Sequence, residues 1–491
     1  MPIIKINGQE HEVPSGINAL EACQMTGIYV PHFCYHPALT VVGSCRMCKV
    51  EVVQGGRRRI EISCNLPVSE GLEIWTETPA VKKQRQMTLE YLLENHPLDC
   101  PICDDSGECD LQNFYMVYGL HPSRLREPKV RKFKAKDIGK TVVLDSERCV
   151  LCSRCVRFCA EVTKTNELGI FGMGATEKLD LKPGAQLDND YSGCVVDLCP
   201  VGALTDKDFR FKRRVWYLHS VPSICPGCSR GCNVRLDYDL DPFHQHKKNF
   251  QMRTYRTPAT THQRIQRIKP RYNDAVNGYW ICDAGRYGYK WVDAEDRVLT
   301  PLIRSEEGIK ILDWESALAK FREVVEIHSG KNGERAMVVV SPRLTCEELY
   351  AIRRLFKDVL GWINFDHRLP IDPGWYGDDL LRTPDPFPNR IGAEWIGIEP
   401  SSGGIFLRDL EEAVLNDRIK VIISFDAHPT MYLSPQALKR LSYVIGLCSN
   451  LGDKSFLYED LILPLAAWGE YRGLFTNFRG RIQRCEKAFK P

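Results

Sequence analysis

Eighteen of the chain's 21 cysteines fall at or before Cys282, half of them in Cys-x2-Cys spacings, and this constrains the protein more than any other feature. The number is odd, and the start, MPIIKINGQEHEV, alternates like a strand rather than reading as a charged-then-apolar leader. Thiolate metal sites in a reducing compartment suit such a chain better than a disulfide framework does, so a cytoplasmic protein is expected. With 66 Lys+Arg against 63 Asp+Glu, nothing marks a nucleic-acid binder or an acidic tail. No apolar run approaches the roughly 18 residues that span a membrane. The 491 residues exceed one core, and roughly three to five domains are expected.

Spacing separates four ligand groups. The first is Cys34-x10-Cys45-x2-Cys48-x15-Cys64. Around it, IIKINGQEHEVPSG and CKVEVVQGGRRRIEISC read as strand pairs, with a hairpin turn at Gly55-Gly56. A [2Fe-2S] cluster takes two thiolates per iron and a loop that turns its amides toward the sulfides, which Gly43 and Ser44 in VVGSCRMC can supply. The plant-type pattern has four residues in its first gap, and here there are ten. Cys23, within an apparent helix, is expected to fill core.

The second group, HPLDCPICDDSGECDLQN, holds His96, Cys100, Cys103 and Cys109. The helical stripe of QRQMTLEYLLENH should stop at Pro97, leaving His96 at a helix end facing the three thiols. Three thiolates cannot complete a cubane alone. Three cysteines and a histidine also make a zinc set, so spacing leaves both readings open, and the neighbouring motifs favour the cluster.

The third group, CVLCSRCVRFC, is the bacterial ferredoxin run Cys149, Cys152, Cys155, Cys159, with its remote Cys-Pro at Cys199-Pro200. Counting back from Cys199, the partner cluster's ligand positions hold Asn189, Ser192 and Val195, so the second cubane is lost. Cys149, Cys152, Cys155 and Cys199 then hold one [4Fe-4S], and Cys159 and Cys194 are spare. The fourth group, CPGCSRGC, contributes Cys225, Cys228 and Cys232, with Cys282 after a gap of 49 residues. A long insertion costs little closure entropy, and a zinc knuckle is the alternative.

Beyond Cys282 the helical segments DWESALAKFREVVEIHSG and CEELYAIRRLFKDVLG alternate with the strands AMVVVSP and KVIISFDAHP, as in a parallel α/β layer. Cys346, Cys448 and Cys485 read as packed thiols. FGMGATEK has Glu177 where a dinucleotide fingerprint needs its third glycine, and a P-loop is absent. The chain should carry electrons without its own nicotinamide or flavin site.

This order of motifs resembles the large iron-sulfur subunit, the 75 kDa type, of NADH:quinone oxidoreductase, respiratory complex I. HPLDCPICDDSGECDLQN and CVLCSRCVRFC with CPVGALTD are the specific parts, and ILPLAAWGEYRGLFTNFRGRIQ echoes the family's molybdopterin-like region. The likeness covers almost the whole chain. It implies His96 as the fourth ligand of a one-histidine three-cysteine [4Fe-4S] and an electron relay from the flavin subunit toward quinone. The implied partners are the NADH-binding flavin subunit and other peripheral-arm subunits, without nucleic acid. The implied location is peripheral, on the cytoplasmic side of a bacterial inner membrane, reached only through partners. Oxidoreductase activity would belong to the complex, with no independent catalytic site here.

The expected architecture is multidomain, α+β and α/β. It comprises a [2Fe-2S] ferredoxin-like β-grasp domain (1–78), the one-histidine three-cysteine domain (79–118) and a ferredoxin-like [4Fe-4S] domain (140–216). A molybdoenzyme-type cluster domain (218–290) and a truncated molybdopterin-oxidoreductase-like α/β region (291–491) follow. One [2Fe-2S] and three [4Fe-4S] clusters are expected, without molybdopterin. Ala284 stands where the molybdoenzymes carry a bridging Lys or Arg, FDHRLPIDPGWYG offers no evident molybdenum ligand, and the sequence stops at Pro491, before an expected final domain. The competing readings are the catalytic subunit of a NAD-linked formate dehydrogenase, which molybdenum content would reveal, the electron-transfer subunit of a NAD-coupled hydrogenase, and a zinc scaffold without redox work.

Overall fold

Alternating burial in IIKI and the turn residues Asn7-Gly8, both at positive φ, start a hairpin that opens a five-stranded mixed sheet. The computed structural model describes residues 1–119, 122–239, 263–452 and 455–491. The strands are β1 (Ile3–Ile6), β2 (Gln9–Glu12), β3 (Lys49–Gln54), β4 (Arg57–Ile62) and β5 (Glu73–Trp75), in the order β2-β1-β5-β3-β4 with β1 and β5 parallel. Gly55 and Gly56, both left-handed, join β3 to β4. Helix α1 (Ala19–Met25) begins at an Asn18–Glu21 capping box and lays Leu20, Ala22 and Cys23 on Ile4, Ile6, Val50, Val52 and Ile74. This is the β-grasp arrangement, and Cys23 is core.

Helix α2 (Pro79–Asn95) has Thr78 as N-cap and proline in its first turn, and it ends at His96 because Pro97 cannot continue it. Its buried Arg85 donates to Glu77 (2.6 Å), to the Tyr118 hydroxyl (2.8 Å) and to the Lys49 carbonyl (2.9 Å). That fixes α2 against β3 and against α3 (Asp110–Tyr118). Three short strands, Lys136–Asp137, Val142–Leu144 and Leu204–Asp206, frame the third cysteine group. Residues 1–217 form one compact unit and 218–491 a second.

In the second unit, Ala336–Val340 and Val421–Phe425 are buried along their whole length and read as apolar runs, as strands covered on both faces do. They lie in a seven-stranded sheet in which Leu461–Pro464, Tyr443–Cys448, Val421–Phe425, Ala336–Val340 and Phe365–Asp366 are consecutive and parallel. One face carries Val338 and Ile423 against Leu349, Phe356 and Trp362, and the other carries Met337 and Ile422 against Leu410, Val414 and Leu438. The expected α/β layer is therefore doubly covered. The two amphipathic helices that the sequence suggests both finish in π turns, at Val324–His328 and Arg354–Val359.

Segment 218–290 folds with 291–491 rather than standing apart. The C-terminal hairpin Gly473–Thr476 and Ile482–Cys485 packs Phe475 and Cys485 on Ile224, while Asn233 donates to Gln483 (2.6 Å). Among the described residues no helix is long and apolar enough to cross a membrane.

Candidate metal centres

The first group converges at one edge of the β-grasp sheet. Cys48 precedes β3, Cys64 lies in the turn after β4, and Cys34 and Cys45 stand on the loop between α1 and β3. Gly43 and Arg46 flank Cys45 in left-handed conformation, the alternation that turns successive amides into one concavity. Phe33 donates its backbone N–H to the Cys45 sulfur (3.4 Å). The thiols meet in pairs, Cys34 with Cys45 and with Cys64, and Cys64 with Cys48. Hydrogen bonds from Cys45 and Cys64 hold the Cys34 thiol well below its ordinary range, and one from Cys64 brings Cys48 down to about 7.

In the second group, Cys100 opens a 3-10 turn, Cys103 closes it, and Cys109 caps α3. With His96 they line one cavity of about 680 Å³, together with Arg148 and Gly202. Burial, then the Arg148 cation, lowers His96 to about 4, so the imidazole is neutral, and its Nδ1 is buried without a hydrogen-bond partner. Arg148, 4% exposed, donates from Nη2 to Asp99 (3.0 Å), while its Nη1 is buried and unpartnered. A β-carbon on Gly202 would stand 2.3 Å from the Cys103 sulfur. A neutral nitrogen, three thiols, a buried cation and a space kept free of a methyl group fit an anionic cluster. Arg214 ties down the loop through the carbonyls of Pro101 (2.6 Å) and Cys103.

Cys149, Cys152, Cys155 and Cys199 line a second, narrower cavity. Leu151 and Ser153 bracket Cys152 in left-handed conformation, and Leu151 donates its N–H to the Cys149 sulfur (3.4 Å). Burial pushes these thiols up, Cys149 to about 12, so a metal must displace their protons. Cys159 lies outside the cavity, buried in a π turn beside Glu167. The positions where a second set of ligands would stand carry other partners. Asn189 donates to Glu167 (2.8 Å), Ser192 shares a hydrogen bond with Thr141 (2.5 Å), and Val195 is core. Cys194 is buried on the short helix that Cys199 terminates.

The fourth group closes through the Cys225 N–H bonded to the Cys232 carbonyl (2.9 Å). Gly285 donates to the Cys282 sulfur (3.4 Å), and its own missing β-carbon would be 2.9 Å from the Cys225 sulfur, so Cys282 reaches the others despite the long gap. Part of that insertion, 240–262, lies outside the described residues. Arg343 donates to the Pro226 carbonyl (3.0 Å), and Arg230 to that of Leu381 (2.8 Å). Next to Cys225 is a cavity of about 480 Å³ bordered by Ala284, Arg343, Trp375, Asp426 and His428. It lies at the carboxyl ends of the parallel strands, where open α/β sheets take ligands. From FDHRLPIDPGWYG, Trp375 borders it, while buried His367 donates Nδ1 to the Ile398 carbonyl (2.6 Å).

Among the described residues no three His, Cys, Asp or Glu side chains are close enough to share a single metal ion. Sequence spacing missed Arg148, Arg154, Arg157, Gly202 and Arg343. The arginines at 154 and 157 stand inside the ferredoxin run, and their type there was the available signal. The first three groups also meet in packing: Cys34, Cys45, Cys109, Cys149, Cys152 and Cys199 belong to one cluster with Phe33, Met47, Leu89 and Phe114.

Comparison with known families divides the chain similarly. Residues 3–79 match a 2Fe-2S iron-sulfur cluster binding domain, and 85–124 the NADH-ubiquinone oxidoreductase-G iron-sulfur binding region. Residues 139–205 match the ferredoxin-like domain of NADH-quinone oxidoreductase subunit 3, and 418–491 match molybdopterin oxidoreductase. The NADH-ubiquinone oxidoreductase 75 kDa subunit of Reclinomonas americana is 38% identical over 72% of this chain and 47% of its own length. The mitochondrial NADH dehydrogenase [ubiquinone] iron-sulfur protein 1 of Solanum tuberosum is 38% identical over 65% of this chain and 40% of its own. An NADH-quinone oxidoreductase subunit of Streptomyces coelicolor is 36% identical over 77% of this chain and 42% of its own. The chain thus spans less than half the length of these relatives. A solved NAD+-reducing [NiFe]-hydrogenase in the H2-reduced state covers 44% of the chain and 91% of its own at 29% identity, with a TM-score of 0.38.

Proposed function

The chain is a relative of the large iron-sulfur subunit of NADH-quinone oxidoreductase, and on that premise we propose that it relays electrons between an NADH-oxidising flavin subunit and a quinone-reducing one. The packing cluster shared by six cysteines of three groups carries this reading, because one-electron transfer needs centres held close in a dry, rigid medium. Cys34, Cys45, Cys48 and Cys64 would hold a [2Fe-2S]. His96, Cys100, Cys103 and Cys109 would hold one [4Fe-4S], Cys149, Cys152, Cys155 and Cys199 a second, and Cys225, Cys228, Cys232 and Cys282 a third. Iron-sulfur clusters delocalise one electron with little rearrangement. The protein's share is to supply thiolates and one neutral imidazole, to exclude water, and to set buried Arg148 beside the second centre.

In this reading the chain has no catalytic site of its own and works peripherally, on the cytoplasmic side of the membrane, through the other peripheral-arm subunits. Residues 291–491 would be a scaffold without pterin. Ala284 brings no bridging charge to the cavity beside Cys225, the Arg343 that also borders it is held by the Pro226 carbonyl (3.0 Å), and the histidine there, His428, is paired with Glu459 at 3.7 Å.

His96→Cys tests the ligand set. A fourth thiolate adds negative charge and favours the oxidised form, so the cubane should persist with a midpoint potential lowered by on the order of 100 mV. A redox titration followed by electron paramagnetic resonance reads this directly. An unchanged or higher potential removes the imidazole from the iron, and a zinc-filled site removes the relay.

A further inference from the structure

Helix α4 (Arg154–Arg157) and the π turn Phe158–Val162 that continues it carry three charged side chains that all reach residues 34–40, the loop bearing Cys34. Arg154 donates to the Tyr35 carbonyl (2.7 Å) and to the Leu198 carbonyl (3.3 Å). Arg157 donates to the carbonyls of Cys34 and Thr40, to that of Cys152 (3.4 Å) and to the Ser153 hydroxyl (3.2 Å). Glu161 accepts from the Thr40 N–H (2.9 Å) and from its hydroxyl (2.5 Å). One guanidinium therefore holds the backbone of a first-group cysteine and of a third-group cysteine.

Arg157 is 7% exposed, and its hydrogen bonds go to carbonyls and a hydroxyl rather than to carboxylates. Burying a cation costs several kcal/mol unless negative charge nearby offsets it. Neutral carbonyls orient the fork but do not cancel the charge. Anionic centres on both sides would.

We propose that Arg157 is a positioning residue shared by two centres: it fixes the Cys34 loop against the Cys149–Cys155 loop and holds one buried positive charge between the [2Fe-2S] and the [4Fe-4S], favouring reduction of both. Arg154 supports the clasp, and Glu161 moderates the charge from the more exposed side. The inference rests on the ligand assignment above. Its sign follows from charge, because reduction adds an electron to each centre and a fixed cation stabilises the more negative state.

The test is a redox titration of the cluster-loaded chain, with both signals followed by electron paramagnetic resonance. Arg157→Gln should make both centres harder to reduce, by tenfold or more in equilibrium constant, about 59 mV for one electron. Arg157→Lys, which keeps the charge but loses the fork, should restore most of that shift. Glu161→Gln should move both centres the opposite way, by less. A shift confined to one centre, or to neither, overturns the proposal while leaving the ligand assignment standing. If Arg157→Gln does not accumulate, Glu161→Gln decides, and unmoved potentials at both centres overturn the idea. A wild-type chain that lacks either signal overturns the ligand assignment and the inference with it.

Discussion

Gly202→Ala is expected to cost the protein the centre bounded by His96 and Cys109 while the chain stays folded. The new methyl would lie 2.3 Å from the Cys103 sulfur, inside any real contact distance, and a tight 3.1 Å from the Asp105 β-carbon. Gly202 is not in the left-handed region, so alanine meets no backbone penalty and the effect is one of space. Overpacking of this kind costs about 1–3 kcal/mol, which a folded unit of 217 residues can absorb. The position of Cys103 cannot absorb it, because Arg214 holds its carbonyl and the Arg148 side chain packs 3.8 Å from the same methyl. Iron analysis should find about four irons fewer per chain, with the [2Fe-2S] signal retained. Full iron content in a folded Gly202→Ala chain would mean that the glycine does not guard a ligand.

Cys199→Ser and Cys159→Ser should diverge just as sharply. Cys199 lines the narrower cavity with Cys149, Cys152 and Cys155, so a hydroxyl there would replace a soft ligand on one iron, and one cubane signal should vanish or change form. Cys159 packs beside Glu167, within the polar contacts that Asn189 and Thr165 also make. Serine fits those surroundings, and every cluster signal should survive. Loss of a cluster on Cys159→Ser would show that the second ferredoxin site has not been replaced by side chains.

What was legible in the sequence was local. Hairpins at Asn7-Gly8 and Gly55-Gly56 follow from residues that tolerate positive φ, and the end of α2 at His96 follows from Pro97. Ligand groups were legible for the same reason: three of each four ligands lie within a short loop. Long-range partners were not. Gly202 meets Cys103 from about a hundred residues away, Arg157 reaches back to Cys34, and the hairpin at 473–485 folds onto the Cys225 segment. Buried runs such as AMVVV announced parallel strands, but their order depends on crossovers that no run of residues encodes. Helices that turn into π geometry at 324 and 354 keep the apolar pattern of ordinary helices, so their change of winding was hidden.

The central claim is that the four groups hold iron-sulfur clusters rather than zinc. Iron, sulfide and zinc analysis of the anaerobically loaded chain, paired with low-temperature electron paramagnetic resonance after reduction, addresses it most directly. The account predicts about fourteen irons per chain, divided among one [2Fe-2S] and three [4Fe-4S] clusters, with negligible zinc. Saturation near about eight irons with stoichiometric zinc in the remaining groups would contradict it.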